Sequence, residues 1–419
     1  MTRAMKDSGV AWIGEIPANW EIRRFKDAGS FQTGKDHKAL NEGYIPVYGS
    51  SREPFAFVDR ALCKQKAIAI GRKGTIDQPY VIQAGFWAVD TCMFNTALKK
   101  NFSLEYLGYW AEIIPWREMS TQTALPSLTQ TDANNAIVGF PPLIEQRAIA
   151  DHLDRQTALI DRRLTTLAEK KAVLAELRKA TIHEAVTKGS FWNAETGLVE
   201  GLPNGWEASQ SKRLLRFITS GSRGWAEYYA DEGDIFLRIG NLTRETIGLD
   251  LNDVQYVHLP ANATEGSRTR IREGDMLVSI TADLGSIAVA PKLDKPAYVN
   301  QHIALCRPKK MVNPRWLGYA MVSLQSKQQM LNSGYGGTKI QLSLDDVRHV
   351  WLAVPPPDEQ LSIADHLDQQ TQQFDAQLAT LDEQAQVLKE LRKAIIHEAV
   401  TGKIDLSGYT PQTPEALLA

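Results

Sequence analysis

The chain has 419 residues, 43% hydrophobic and 23% charged, with 47 basic and 49 acidic side chains and a formal net charge of −2. That length suits two domains or more. No run of about 18 apolar residues is present, which argues against a membrane span. Residues 1–7 lack the apolar core of a secretion signal, so a cytoplasmic location is expected. Cys63, Cys92 and Cys306 stand far apart and read as reduced core thiols, not as a disulfide framework or a metal set.

A near-neutral average does not announce a nucleic-acid binder, but the charge is uneven. Residues 357–403 carry Asp358, Glu359, Asp365, Asp368, Asp375, Asp382, Glu383, Glu390 and Glu398 against only Lys389, Arg392, Lys393 and Lys403. The average therefore hides local patches.

In chain order, a short arm (1–19) contains the sequence Pro17-Ala18-Asn19-Trp20-Glu21. A first domain is expected over 20–142, with strands at 66–71 and 87–90 and a helix near 103–119. A long helix is expected over 143–189, followed by a linker (190–205) that ends in Pro203-Asn204-Gly205-Trp206-Glu207, an echo of the first motif. A second domain (206–356) has strands at 234–239 and 275–280 and helical pattern near 314–331. A second long helix (357–403) and a tail (404–419) close the chain.

The two long helices are copies. Residues 141–187 match 355–401 without gaps at 30 of 47 positions, including ADHLD, LRKA and IHEAVT. Leu153, Ile160, Leu167 and Leu174 recur every seven residues, with Ile149, Leu164 and Leu177 on the neighbouring row. Leu367, Phe374, Leu381 and Leu388 repeat the phase, with Ile363, Leu378 and Leu391. Such a heptad stripe specifies a coiled-coil seam. One stripe alone most often faces its own domain; two in the same phase, each after a separate domain, point to each other, antiparallel. Pro141-Pro142 and Pro355-Pro356 mark the starts, and Gly189 and Gly402 the ends. Each copy of about 43 residues spans roughly 65 Å.

Two P-x-x-W-E openings, two variable domains and two repeated helices ending in LRKA-x-IHEAVT resemble the specificity subunit of type I restriction–modification systems. The resemblance covers almost the whole chain. It implies an α+β architecture: two mixed α/β target recognition domains separated by two long antiparallel coiled-coil helices, a pseudo-two-fold internal repeat. Each domain would read one half of a bipartite site in double-stranded DNA, and the helices would set the gap. The partners it implies are two DNA adenine methyltransferase subunits docked on the repeated surfaces, and up to two restriction/translocase subunits in systems that carry them. No catalytic residue, metal or cofactor is expected in this chain. S-adenosylmethionine, ATP and magnesium would belong to the partners.

Candidate DNA contacts are polar side chains in Gly-bounded turns beside strands, since phosphates take Lys, Arg and hydroxyls and base edges take Arg, Lys, Asn and Gln. In the first domain these are Gln32, Thr33, Lys35, Ser50, Ser51, Arg52, Arg72, Lys73, Thr75, Gln122, Thr123 and Ser127. In the second they are Ser220, Ser222, Arg223, Arg238, Asn241, Thr243, Arg244, Ser279, Thr281, Asp283, Tyr335, Thr338 and Lys339. The turn 219–223 corresponds in position to 32–35.

Other chemistry is set aside. Phe140-Pro141-Pro142-Leu143 lacks the Asn-Pro-Pro-aromatic order of adenine methyltransferases. His183-Glu184 and His397-Glu398 start like a zinc-protease motif, but Thr187 and Thr401 replace the second His, so helix packing or capping is the better account. In Gly71-Arg72-Lys73-Gly74-Thr75 and in 334–339 the Lys is misplaced for a phosphate loop. The competing readings are a coiled-coil interaction scaffold that binds no DNA, and a specificity subunit of a methylation-only system.

Overall fold

The computed structural model describes residues 3–96, 99–121, 126–244, 246–260, 265–333 and 341–406. The chain forms two compact units: Met1–Leu167 with Glu383–Ala419, and Ala168–Asp382. Both boundaries fall inside a long helix.

The first unit opens with a hairpin of β1 (Met5–Asp7) and β2 (Glu15–Pro17), then β3 (Glu21–Arg24). A four-stranded antiparallel sheet combines β4 (Gln32–Thr33), β7 (Ala67–Gly71), β8 (Tyr80–Ile82) and β10 (Cys92–Asn95) in the order β4-β10-β7-β8. The sequence Ala-Ile-Ala-Ile-Gly of β7 has no polar alternation, and all five residues are buried, as expected for a strand covered on both faces. A smaller sheet orders β5 (Glu42–Tyr48), β6 (Ala56–Val58) and β9 (Trp87–Ala88) as β6-β5-β9, with β5 and β9 parallel. Helix α1 (Leu104–Ile113) follows, and β11 (Ile137–Phe140) returns to pair with β3. Directly after Pro141-Pro142 the chain enters α2 (Leu143–Thr187), 45 residues long.

The second unit repeats this plan. A hairpin of β12 (Phe191–Asn193) and β13 (Leu198–Glu200) occupies the stretch read as a linker. Strand β14 (Glu207–Gln210) pairs with β23 (Trp351–Val354), as β3 does with β11. The main sheet joins β15 (Leu215–Ser220), β19 (Met276–Ser279), β20 (Ile287–Val289) and β22 (Ile303–Pro308) as β15-β22-β19-β20. The lesser sheet is β16-β18-β17-β21, from β16 (Tyr229–Ala230), β17 (Asp234–Leu237), β18 (Gln255–Val257) and β21 (Ala297–Val299), with β17 and β21 parallel. Helix α3 (Pro314–Val322) precedes α4 (Pro357–Val400). The helical pattern read near 314–331 breaks at Ser323, whose hydroxyl turns back to Ala320 O, and a second helix resumes at Leu324.

Each unit buries the head of one long helix with the tail of the other. In the first, Ile149 and Leu153 of α2 share a core with Ile396, Ala399 and Val400 of α4 around Trp20, Phe25, Phe31, Tyr106, Trp110 and Trp116. In the second, Ile363, Ala364 and Leu367 of α4 meet Ile182 and Val186 of α2. The helices are therefore antiparallel within each unit. The repeat also places reciprocal ion pairs: Arg392–Asp161 in the first unit at 3.0 Å and Arg178–Asp375 in the second at 2.9 Å.

Along the seam, Leu153, Ile160, Leu367 and Phe374 are buried, and Leu167, Leu174, Leu381 and Leu388 are half-buried. Leu177 and Leu391 do not join them; they are 51% and 45% exposed. The neighbouring row drifts off the seam because a 3.6-residue turn does not keep a seven-residue repeat in register, and the next residue, Arg178 or Arg392, turns inward instead.

The joint between domain and helix is also built twice. Trp20 Nε1 donates to Glu145 at 3.2 Å, and Trp206 Nε1 to Glu359 at 2.9 Å. A cation lies over each indole, Arg3 in one unit and Lys188 in the other, and each pairs with the same glutamate. Gln146 accepts from Ser103 N and donates to Pro141 O; Gln360 accepts from Asn313 N and donates to Pro355 O. Tyr109 donates to Asp154 at 2.6 Å, and Tyr319 to Asp368 at 2.7 Å. These bonds dock α1 on α2 and α3 on α4 in the same pose.

Candidate nucleic-acid interface

In each unit the backbone brings the strand-end turns to one rim. The first turn passes so close to the parallel strand that only glycine fits. A Cβ on Gly34 would lie 2.2 Å from Ala88 O, and one on Gly221 would lie 2.0 Å from Asn300 O. The adjacent amides bond alike: Lys35 N to Ala88 O at 2.8 Å, and Ser222 N to Val299 O at 3.1 Å. The turn 219–223 thus does correspond to 32–35.

In the first unit the turn after β5 (Gly49 to Arg52) abuts the turn after β7. A Cβ on Gly71 would stand 3.0 Å from the Ser50 side chain. Arg72 N donates to Thr91 O at 2.7 Å, Gly74 N to Pro126 O at 3.2 Å, and Lys73 forms a β-bridge with Ser127. Those amides are spent on the fold, so the turn is not a phosphate cradle. Gln32, Lys35, Ser51, Arg52 and Lys73 are exposed on this rim, and Thr33, Ser50, Arg72, Thr75 and Ser127 are half-buried.

In the second unit, Arg244 Nε donates to Asp283 at 3.0 Å and Thr281 meets His302 Nδ1 at 2.9 Å. Thr281 also bridges to Gln341, as Lys73 does to Ser127. Arg223 and Arg244 are exposed; Ser220, Arg238, Thr243, Thr281 and Asp283 are half-buried. The two rims differ in charge. Lys35, Arg52, Arg72 and Lys73 form no ion pair among the described residues, whereas Arg244 is paired and Arg238 lies 3.8 Å from Asp253.

Three candidates prove to be interior. Ser222 is buried against the Thr269 hydroxyl at 3.1 Å. Ser279 is fully buried and donates to Thr281 O. Asn241 is buried and donates to Asp250 O and Asp253 O, holding its own loop closed. Their side-chain groups are engaged inside the fold, by a buried hydroxyl for Ser222 and by backbone carbonyls for Ser279 and Asn241, so they shape the turns. Gln122, Thr123, Tyr335, Thr338 and Lys339 lie outside the described residues. The sequence reading missed the turn after the parallel strand. Asp90 and Thr91 in one unit, and Asn300, Gln301 and His302 in the other, sit among the rim loops. Their signal was a run of two or three polar residues directly before a buried strand, weaker than a glycine-bounded loop.

Among the described residues no group of three or more His, Cys, Asp or Glu is placed to hold a metal. Thr187 and Thr401, where a zinc motif would need His, donate to the carbonyls of His183 and His397, and His397 Nε2 meets Trp12 O at 3.1 Å. The three cysteines are free and buried. Burial pushes the Cys92 thiol up to about 12, which leaves it unreactive. No helix is long and apolar enough to cross a membrane among the described residues.

Fold and rims together define a two-unit protein of internally repeated plan, in which one backbone frame presents two unlike polar edges beside long paired helices. The model of the type I restriction modification DNA specificity domain matches residues 17–175 and 246–387, more than half of the chain, and the chain belongs to that family. Its relatives include the putative type I restriction enzyme MjaX specificity subunit of Methanocaldococcus jannaschii, 24% identical over 66% of this chain and 61% of that protein. Another is the type I restriction enzyme EcoBI specificity subunit of Escherichia coli, 23% identical over 73% of this chain and 66% of that protein. The chain thus aligns with less than two thirds of those relatives' length. A solved chain from a study of complex assembly and conformational transition of the type I R-M system shares the fold, with a TM-score of 0.66 at 20% identity, covering 93% of this chain and 99% of that one.

Proposed function

We propose that the chain is the DNA-specificity subunit of a type I restriction–modification complex, each unit reading one half of a bipartite, asymmetric site. One observation carries the reading: equivalent turns meet at equivalent rims, yet their side chains differ. A shared frame with different polar contents suits two readers of different sequences. Lys35, Arg52, Arg72 and Lys73 suit phosphates in the first half, and Arg223, Arg238, Thr281 and Gln301 offer donors and acceptors in the second.

The long helices serve as spacer and dock. Val173 and Leu177 recur as Val387 and Leu391, all between 45% and 66% exposed. Identity at buried positions follows from packing, but folding does not require identical exposed apolar pairs. Two like patches suit two copies of one partner, which we assign to the methyltransferase subunit. Methyl transfer, with S-adenosylmethionine, and any ATP- and magnesium-dependent restriction then belong to partner subunits in the cytoplasm.

The test is methylation mapping in a host that expresses this chain with its methyltransferase. A split adenine motif with a fixed gap is expected. Methylation without sequence preference, or none that depends on this chain, would leave the scaffold reading.

A further inference from the structure

The first unit exposes three large aromatic side chains on one hairpin: Tyr44 at 96%, Phe55 at 57% and Phe57 at 51%. Scattered exposed apolar residues are ordinary, but a contiguous aromatic group marks a contact surface. This one is held out by the backbone. Strand β5 slips register between Glu42 and Ile45 opposite Val58, a bulge that carries Tyr44. At its base a Cβ on Gly43 would lie 2.4 Å from Val58 O, so no other residue fits without moving the strand. Bulges of this kind re-aim a side chain at functional edges. Phe57 pairs across the hairpin with Pro46, and Phe55 continues the row to the rim. There a Cβ on Gly49 would lie 3.5 Å from the Phe55 ring, and His37 meets that ring edge-on at 5.3 Å. The group therefore runs from the bulge into the turn that carries Ser50, Ser51 and Arg52. The corresponding sheet of the second unit holds Trp225, Phe236 and Tyr298 in a buried cluster instead.

Charge decides what kind of contact this is. Lys35, Lys38 and Arg52 are exposed beside the ridge, but so are Asp36, Glu42 and Asp59. Carboxylates among the cations make the ridge itself a poor phosphate site, whatever Lys35 and Arg52 hold at the rim; aromatic faces beside cations suit base or deoxyribose stacking. We infer that Tyr44, Phe55 and Phe57 form an aromatic extension of the DNA interface in the first unit, packing on bases or sugars next to the phosphate-binding turns. The inference rests on the DNA-binding reading above.

The test is a salt titration of DNA binding by the full chain assembled with its methyltransferase, on a duplex carrying the mapped site. Tyr44→Ala/Phe55→Ala/Phe57→Ala should bind about tenfold more weakly or worse at every salt concentration, with an unchanged slope against salt, because stacking releases no counterions. Unaltered melting would show that the fold is kept. Wild-type affinity in the triple variant overturns the inference, and so does wild-type affinity with loss of the methyltransferase, which makes the ridge a protein contact. A wild-type complex that binds no specific DNA sinks the functional reading itself, a result distinct from either.

Discussion

Arg392 Nε donates to Asp161 Oδ1 at 3.0 Å, joining the tail of one repeated helix to the head of its copy within a single unit. The same guanidinium pairs with Glu112 of α1, so it also ties the first domain to the helices. Among the described residues, its repeat mate Arg178 pairs with Asp375 alone. Asp375 is 53% exposed and can return to water, whereas Glu112 is 23% exposed. Replacing Arg392 with Met should therefore cost about 2 kcal/mol, against about 1 kcal/mol or less for Arg178→Met, since an ion left half-buried costs more than one left in solvent. Denaturant melts of the two variants check the ranking; equal losses would mean that the Glu112 contact carries nothing.

The helix ends offer a second comparison. Gly189 and Gly402 both adopt left-handed conformations, with φ of 84° and 73°. A Cβ on Gly189 would meet nothing within 4 Å, whereas one on Gly402 would lie 2.5 Å from Pro17 of the N-terminal hairpin. Gly189→Ala should cost about 1 kcal/mol, the backbone term alone. Gly402→Ala adds a steric clash and should cost at least twice that, read as a larger fall in melting temperature.

The unpaired cations of the first rim make a prediction about salt. Arg72 and Lys73 belong to one turn in which the Arg72 and Gly74 amides are already engaged by the fold, which leaves the two side chains as its main donors to phosphate. Each contact contributes about 0.9 to the slope of log affinity against log salt. Arg72→Ala/Lys73→Ala should weaken binding and flatten that slope by about 1 to 2. A steep slope left intact would remove this turn from the interface.

The repeated exposed pairs predict stoichiometry. Leu177→Asp should remove one methyltransferase copy, Leu391→Asp the other, and the double variant both. Native mass spectrometry of the co-expressed complexes reads this directly. Both leucines are about half exposed, so stability should move little, within about 0.5 kcal/mol. Full occupancy in the double variant would place the docking surface elsewhere.

What the sequence made legible follows from how each feature is encoded. The long helices were plain because 30 identities and a heptad phase are written locally. The rim was half legible: glycines mark Gly34 and Gly221, where the close approach demands them, but nothing local separates exposed Thr or Ser from buried Ser222, Asn241 and Ser279. Burial of a hydroxyl depends on strands distant in sequence. The repeat also begins earlier than the Pro pairs suggest. Thr129 caps a helix with Asp132 214 residues before Ser343 does so with Asp346, a match of function in which only the aspartate is identical and the hydroxyl residue changes type. The outward drift of Leu177 and Leu391 follows from helix geometry but needed a named partner face to be seen.

If α2 and α4 set the gap in the DNA site, their length is a measurable variable. Four residues added to each, at equivalent repeat positions, lengthen a helix by about 6 Å and turn it by little more than a full revolution, so the seam phase is nearly kept. At about 3.4 Å per base pair, the preferred gap should grow by one or two base pairs while both half-site sequences stay the same. Adding the residues to one helix only should instead misalign the reciprocal pairs Arg392–Asp161 and Arg178–Asp375 and destabilise the chain. Methylation mapping of the two insertion variants separates the outcomes. An unchanged gap in the paired insertion would mean that something other than these helices measures the distance along the duplex.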